Sequence, residues 1–274
     1  MGGLQDWFRA NSSNVLAGIV SSLIVLLLQT VSRTMSLVLA AIFVFKWRLR
    51  AIWRFRDPKR IYIVSGAVTG VSEQVKAVVL AGPDAEAASA LIATVGLLYP
   101  EADVRHVYSS TFPRDLWKEH LVVIGGPLNN ACSAVLLGHV KDTLHFDGFD
   151  LHCGQSMWSA EYDSAERALQ DTGAVVRIPN PFDKSKDVMM VLGCDTFGVL
   201  AASLVISSRP DAKDARRGLG KRLGWRRYFG MPAFAAIVHC DVLGNDIGAV
   251  TLTHSLRIRP TQPIVKVKDA SAAK

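Results

Sequence analysis

The residues best suited to chemistry in this chain lie on three short loops. They are Ser65-Gly66, Gly125-Gly126-Pro127-Leu128-Asn129-Asn130 and Gly193-Cys194-Asp195-Thr196-Phe197-Gly198. Each leaves an apolar stretch with strand character, and the second and third run into helix-like segments. A helix N-terminus offers unpaired amides and the positive end of the helix dipole, which suit an anion such as phosphate. Glycine lets a ligand approach the backbone, and Asn129, Asn130 and Thr196 add neutral hydrogen-bonding groups. The expected ligand-binding residues are therefore Ser65, Gly66, Gly125, Gly126, Asn129, Asn130, Gly193, Thr196 and Gly198. Tight turns with ordinary caps call for the same residue types. Cys194 and Asp195 are the candidates for catalysis, because a thiolate is favoured at a helix start. A cysteine after a buried strand also fits inert packing.

Stricter signatures are absent. Gly66-x-x-x-Gly70 and Gly193-x-x-x-x-Gly198 lack the G-x-G-x-x-G spacing of dinucleotide sites. Gly220-Lys221 has Ala215 and Arg222 where a P-loop needs Gly and Ser or Thr. Neither G-x-S-x-G nor H-E-x-x-H occurs. Of the seven histidines, His139, His145 and His152 are nearest in sequence, but no carboxylate spacing turns them into a metal site. No metal is expected. The four cysteines form no C-x-x-C pair, so neither zinc nor a disulfide framework is indicated.

The elements that must position these loops follow from periodicity and punctuation. Ile61–Val64, Lys76–Ala81, Val104–Tyr108, Leu121–Ile124, Gly173–Ile178, Val188–Leu192, Phe234–Val242 and Ala249–Arg257 read as strands. Ala85–Tyr99, Ala131–Val140 and Val199–Ser207 read as helices, with Asp84 as a candidate cap for the first. Thr143–Phe146 and Phe149–Cys153 form a hairpin around Asp147-Gly148. Strands that are apolar throughout, rather than alternating, belong to a sheet covered on both faces. The alternation of strands and helices then predicts an α/β domain with a mainly parallel sheet. In such sheets ligands bind at the carboxyl ends of the strands, where all three loops lie.

A nearly unbroken apolar run, Val15 to Phe45, precedes this domain, and about 20 such residues suffice to cross a bilayer. The segment Lys46 to Arg56 after it mixes Trp and Phe with Lys and Arg, as at the cytoplasmic exit of a membrane helix. The expectation is a single-pass inner-membrane protein with its C-terminal domain in the cytoplasm. A hairpin of two spans turning at Gln29–Thr34 is the alternative. The division expected is an anchor over 1–58, an α/β domain over 59–262 and a tail over 263–274. Much of the net charge of +7 sits beside the apolar run, which points to anionic lipid before nucleic acid. A second basic cluster, Arg209 to Arg227 with Trp225 and Tyr228 beside it, carries no nucleic-acid motif.

The apolar span Val15–Val31, combined with the loops Leu121–Asn130 and Val188–Gly198, resembles bacterial membrane-anchored, Rossmann-like nucleotide-sensing effectors of antiphage systems. The resemblance covers less than half the chain. It implies a three-layer Rossmann-like domain on an N-terminal transmembrane helix. It further implies a sensor of a nucleotide-like anionic small molecule, with membrane lipid and further copies of the chain as partners; the placement of charge points away from nucleic acid. An enzyme acting on a nucleotide or nucleoside at the same cleft, and a non-catalytic membrane scaffold, are the alternatives. No cofactor is indicated.

Overall fold

The structure is a computed structural model that describes residues 27, 30–31, 44–66, 68–72, 75–224 and 233–258, with 68–79 described by backbone alone. It divides into two compact units, Met1–Arg48 and Leu49–Lys274. In the first, the described residues are helical. The second carries the fold.

Its main sheet runs in the order β13-β12-β10-β11-β5-β1-β4, with β9 added beside β10. The strands are β1 (Arg60–Ser65), β4 (Asp103–Tyr108), β5 (His120–Ile124), β9 (Glu161–Tyr162), β10 (Ala168–Pro179), β11 (Asp187–Gly193), β12 (Phe234–Leu243) and β13 (Asp246–Arg257). The pairs β1·β4, β1·β5 and β5·β11 are parallel; β10·β11, β10·β12, β9·β10 and β12·β13 are antiparallel. β2 (Val68–Ser72) and β3 (Val75–Val79) form a separate hairpin, and β6 (Leu144–Asp147), β7 (Asp150–Cys153) and β8 (Ser156–Trp158) a small antiparallel sheet.

The sheet is therefore mixed, with antiparallel pairs prevailing, and the expected mainly parallel sheet is corrected. The cause is burial. Ala174–Ile178 and Phe234–Val238 are buried at every position, like the truly parallel Leu121–Ile124. Both faces of β10 and β12 are covered too along these stretches, so the two strands lose the alternation that would mark their direction.

Helices α2 (Gly82–Leu98) and α4 (Thr196–Ile206) pack on each other; α2 meets β1, β4 and β5, and α4 meets β10, β11 and β12. Helix α3 (Ala131–Leu137) and the β6–β8 sheet join the core through Cys132, Leu136, Leu144 and Leu151, which cluster with Tyr62, Leu121, Val176 and Met190. Every residue of α4 from Gly198 to Ile206 is buried. A helix apolar all round is one enclosed by other elements, and burying each Val, Leu or Ile contributes about 1.5–3 kcal/mol. Helix α5 (Lys213–Leu223) follows, and its buried Arg216 donates to the carbonyls of Val205 (3.2 Å) and Leu204 (3.1 Å), two of the orphan acceptors at the end of α4. That residue of the expected basic cluster is thus a helix cap. Arg209 pairs with Glu86 and with Asp211, and 225–228 lie outside the described residues.

The N-terminal expectations change most. The apolar run of Val15–Phe45 lies almost wholly outside the described residues. Among the described residues, no helix is long and apolar enough to cross a membrane. The expected transmembrane helix, and the single-pass inner-membrane placement built on it, are not upheld. The aromatic border is also reassigned. Residues 49–53 are helical (α1) and open the second unit, where Leu49, Ile52, Trp53 and Phe55 are buried. Trp53 Nε1 donates to the Ile206 carbonyl at 2.7 Å, and the Phe55 amide donates to Tyr99 Oη at 2.9 Å. Arg177, buried in β10, donates to the Trp53 carbonyl (3.0 Å), the Arg54 carbonyl (3.2 Å) and Asp187 Oδ1 (2.8 Å). An aromatic–basic segment that resembles a lipid interface in sequence thus supplies core packing here, within the unit Leu49–Lys274.

Candidate functional site

Strands β1 and β5 are neighbours whose outgoing connections part: the chain leaves β1 through α2 towards β4, and leaves β5 through α3 towards β11. Such a switch point opens a crevice at the carboxyl ends of the strands. The expected loops meet there, but several of their residues are consumed by holding it together. Asn130 Nδ2 donates to the carbonyls of Val64 (3.0 Å) and Ile124 (2.8 Å), while its Oδ1 accepts from the amides of Cys132 (2.9 Å) and Ser133 (3.3 Å). It staples β1 to β5 and caps α3 with no group to spare. Ser65 Oγ bonds His106 Nε2 at 2.9 Å and is buried. Gly125 has φ +104°, a conformation that favours glycine, and donates to the Val191 carbonyl. A Cβ on Gly66 would lie 2.7 Å from the Asn129 carbonyl oxygen. These contacts hold the crevice in shape.

A cleft opens beside them, lined by Gly126, Pro127, Leu128, Asn129, Gly193, Cys194, Asp195, Thr196 and Val199, with Phe146, Gly148 and Phe149 from the β6–β7 hairpin and Asp84 from α2. Of the expected binding residues, Gly126, Asn129, Gly193 and Thr196 line it, as do both catalytic candidates. Ser65, Gly66, Gly125, Asn130 and Gly198 do not. Gly198 lies against β10, where a Cβ would sit 2.4 Å from the Thr172 carbonyl oxygen.

The electrostatics differ from those of a phosphate cradle. Two of the helix starts beside the cleft are already capped: Asn130 serves α3, and Asp195 Oδ1 accepts from the Thr196 amide at 2.7 Å on α4. The other Asp195 oxygen accepts from the Tyr162 hydroxyl at 2.9 Å. Among the described residues, the lining holds two carboxylates and no Lys, Arg or His.

Asp84 is the residue that sequence reasoning missed. It sits in the first turn of α2 but caps nothing; the N-cap position is Ala81, without a side-chain bond. It is 8% exposed, and its buried Oδ1 has no hydrogen-bond partner. Burial, and then the charge of Asp195, push its carboxyl up to about 6. The signal available in sequence was only an acidic residue after Gly-Pro, which ordinary capping explains.

Behind the cleft lies Asp171 of β10, fully buried. Its Oδ1 accepts from the amides of Thr172 (2.6 Å) and Asp195 (3.1 Å), and its Oδ2 from the amide of Gly198. Burial pushes it up to about 7 against the pull of those donors. Asp171 thus pins the Cys194–Gly198 loop to the sheet.

Cys194 is buried, and its thiol donates to the Trp158 carbonyl at 3.3 Å. Burial, reinforced by the nearby Asp171 carboxyl, pushes it up to about 12, opposite to the activated thiolate expected from its place at a helix start. All four cysteines are buried and unpaired with one another. A chromogenic disulfide reagent at pH 8 is therefore expected to label none of them rapidly in the folded protein and four after unfolding. Fast native labelling that is lost in Cys194→Ala would restore the nucleophile.

No protein-family model matches the chain, and no curated protein matches it.

Proposed function

We propose that the Leu49–Lys274 unit is a small-molecule-binding module of the kind a sensor uses, taking a nucleoside-like ligand rich in hydroxyl and amino groups at the switch-point cleft. The observation that carries this reading is Asp84, a buried carboxyl with an unpartnered oxygen at the cleft wall. An unmade hydrogen bond at a buried acceptor costs about 1–3 kcal/mol, and a ligand O–H or N–H would recover it. In nucleotide-binding α/β folds an acidic residue near the switch point grips ribose hydroxyls in this way. Phe149, 63% exposed, and Phe146 offer apolar ring surface for a base. The cleft's charge favours the neutral nucleoside over its phosphate ester, which departs from the anionic ligand expected at first. Binding without chemistry is favoured because Cys194 is held protonated and Asp195 is committed to a cap and to Tyr162.

The test compares Asp84→Ala with the wild type, using adenosine, guanosine, cytidine and uridine and their 5′-monophosphates. Removing a buried, unpaired carboxyl is expected to leave the melting temperature unchanged or raise it. Nucleoside affinity is expected to fall at least tenfold, about 1.4 kcal/mol. In the wild type a nucleoside at a hundredfold excess over its Kd stabilises the fold by about 2.7 kcal/mol and is recovered unchanged. Tighter binding of the monophosphates would overturn the neutral-ligand reading, and silence from all eight compounds would overturn the module. Turnover abolished by Asp195→Asn, with binding retained, would make it an enzyme instead.

A further inference from the structure

The small β6–β8 sheet carries a row of soft and borderline metal donors on its outer side. His145 of β6 pairs in register with His152 of β7, and His152 pairs with Met157 of β8. Residues directly opposite one another in antiparallel strands point to the same face, with Cβ atoms about 4.5–5.5 Å apart. The other face is fixed as the inner one, because Leu144, Leu151 and Cys153 are buried. His145, His152 and Met157 therefore stand side by side on the outer face, across three adjacent strands. The two imidazoles stack, with centroids 4.9 Å apart and planes 8° from parallel. Met157 is 59% exposed, although a thioether in water gains nothing from that position.

From this row we propose that His145, His152 and Met157 form a surface site for a monovalent copper ion. Two imidazole nitrogens and a thioether sulfur make a ligand set suited to Cu(I): the thioether is a soft donor, and imidazole serves copper in either state. Hard divalent cations are not served by the same row. Among the described residues, no group of three or more His, Cys, Asp and Glu is placed to hold a metal ion. The methionine changes the chemistry, because it completes a three-donor set that oxygen-seeking ions do not use. Asp147 and Asp150 pair at the end of the same hairpin, and by the period of two they share the outer face with the histidines. Their negative charge adds attraction for a cation without entering the ligand set. The site requires each imidazole to turn an unprotonated nitrogen towards the ion. His145 is exposed and His152 half-buried, so both rings have room to turn.

The test titrates the full chain, kept under a thiol-free reductant, with Cu(I) against a chromogenic chelator. The wild type is expected to take up one ion. His145→Ala/His152→Ala is expected to lose it, and Met157→Leu to weaken it at least about tenfold, all three proteins having the same melting temperature without metal. Absence of uptake by the wild type would overturn the proposal, as would uptake that survives in the double histidine variant, which would place the ion on cysteine. Zn(II) bound as tightly as Cu(I), with no effect of Met157→Leu, would overturn the thioether's part and with it the copper assignment.

Discussion

Gly173→Ala is expected to prevent the Leu49–Lys274 unit from folding. A Cβ at this position of β10 would lie 2.0 Å from the Gly198 carbonyl oxygen, 2.6 Å from the Gly198 carbonyl carbon and 2.8 Å from the Leu192 carbonyl oxygen. All three obstacles are backbone, so no side chain can move aside. The first turn of α4 rests directly on the sheet at this point. Relief requires lifting a helix that is buried on every side off β10 and β11. The cost falls in the range beyond about 4–5 kcal/mol that few single substitutions reach, against a total stability of about 5–15 kcal/mol for a domain. Gly96→Ala is the matched control. That glycine lies within α2 with nothing within 4 Å of its missing Cβ, so alanine there is expected to add roughly 0.5–1 kcal/mol. Near-ultraviolet circular dichroism and limited proteolysis of the two variants give the comparison. A Gly173→Ala protein with wild-type cooperativity and melting temperature would show that the contact between β10 and α4 is not the constraint described.

This close contact explains why part of the architecture could be read from sequence and part could not. The strands around Ile63, Val122 and Val191 are short apolar runs that end in glycine or serine, and that local pattern was enough to find them and the crevice at their ends. Strand direction is not a local property. Ala174–Val176 is apolar for the same reason as Leu121–Ile124, burial on both faces, yet it runs against β11 rather than with it. Trp53 and Phe55 lie between Lys and Arg, and only the packing distinguishes a lipid border from a domain's edge. The candidate site divides along the same line. Gly193, Asp195 and Asn129 announced themselves by loop composition. Asp84 reaches the cleft only because α2 is laid beside α4, and Asp171 resembles a stray polar residue in a strand until its three donors are seen. The His145–His152–Met157 row depends on strand register, which spacing in the chain does not reveal.

Asp171→Ala is expected to be nearly as severe, and its cost is expected to vary with pH in a direction that reports how the carboxyl is held. Removing the side chain leaves the amides of Thr172, Asp195 and Gly198 without acceptors in the interior. At about 1–3 kcal/mol for each buried donor left unpaired, the loss reaches several kcal/mol and releases the Cys194–Gly198 loop from the sheet. The pH dependence follows from the carboxyl's rise from 3.8 to about 7, driven first by burial. An acid that holds its proton more tightly in the folded state stabilises the fold fully below the unfolded value. That contribution is lost as pH rises through about 7. Other groups titrate in the same range. Asp84, raised to about 6, acts in the same direction. His120, lowered to about 4 chiefly by burial, acts oppositely, contributing above 6.5 and losing that contribution as pH falls towards 4. To first order both cancel when wild type and variant are compared at each pH. The difference in unfolding free energy between wild type and Asp171→Ala is therefore expected to shrink by roughly 2 kcal/mol between pH 5 and pH 8, as measured by urea unfolding. The three amide donors oppose this trend, since they favour the ionised carboxylate. A difference that instead grows with pH would mean that the donors outweigh burial, and that Asp171 holds the loop as an anion.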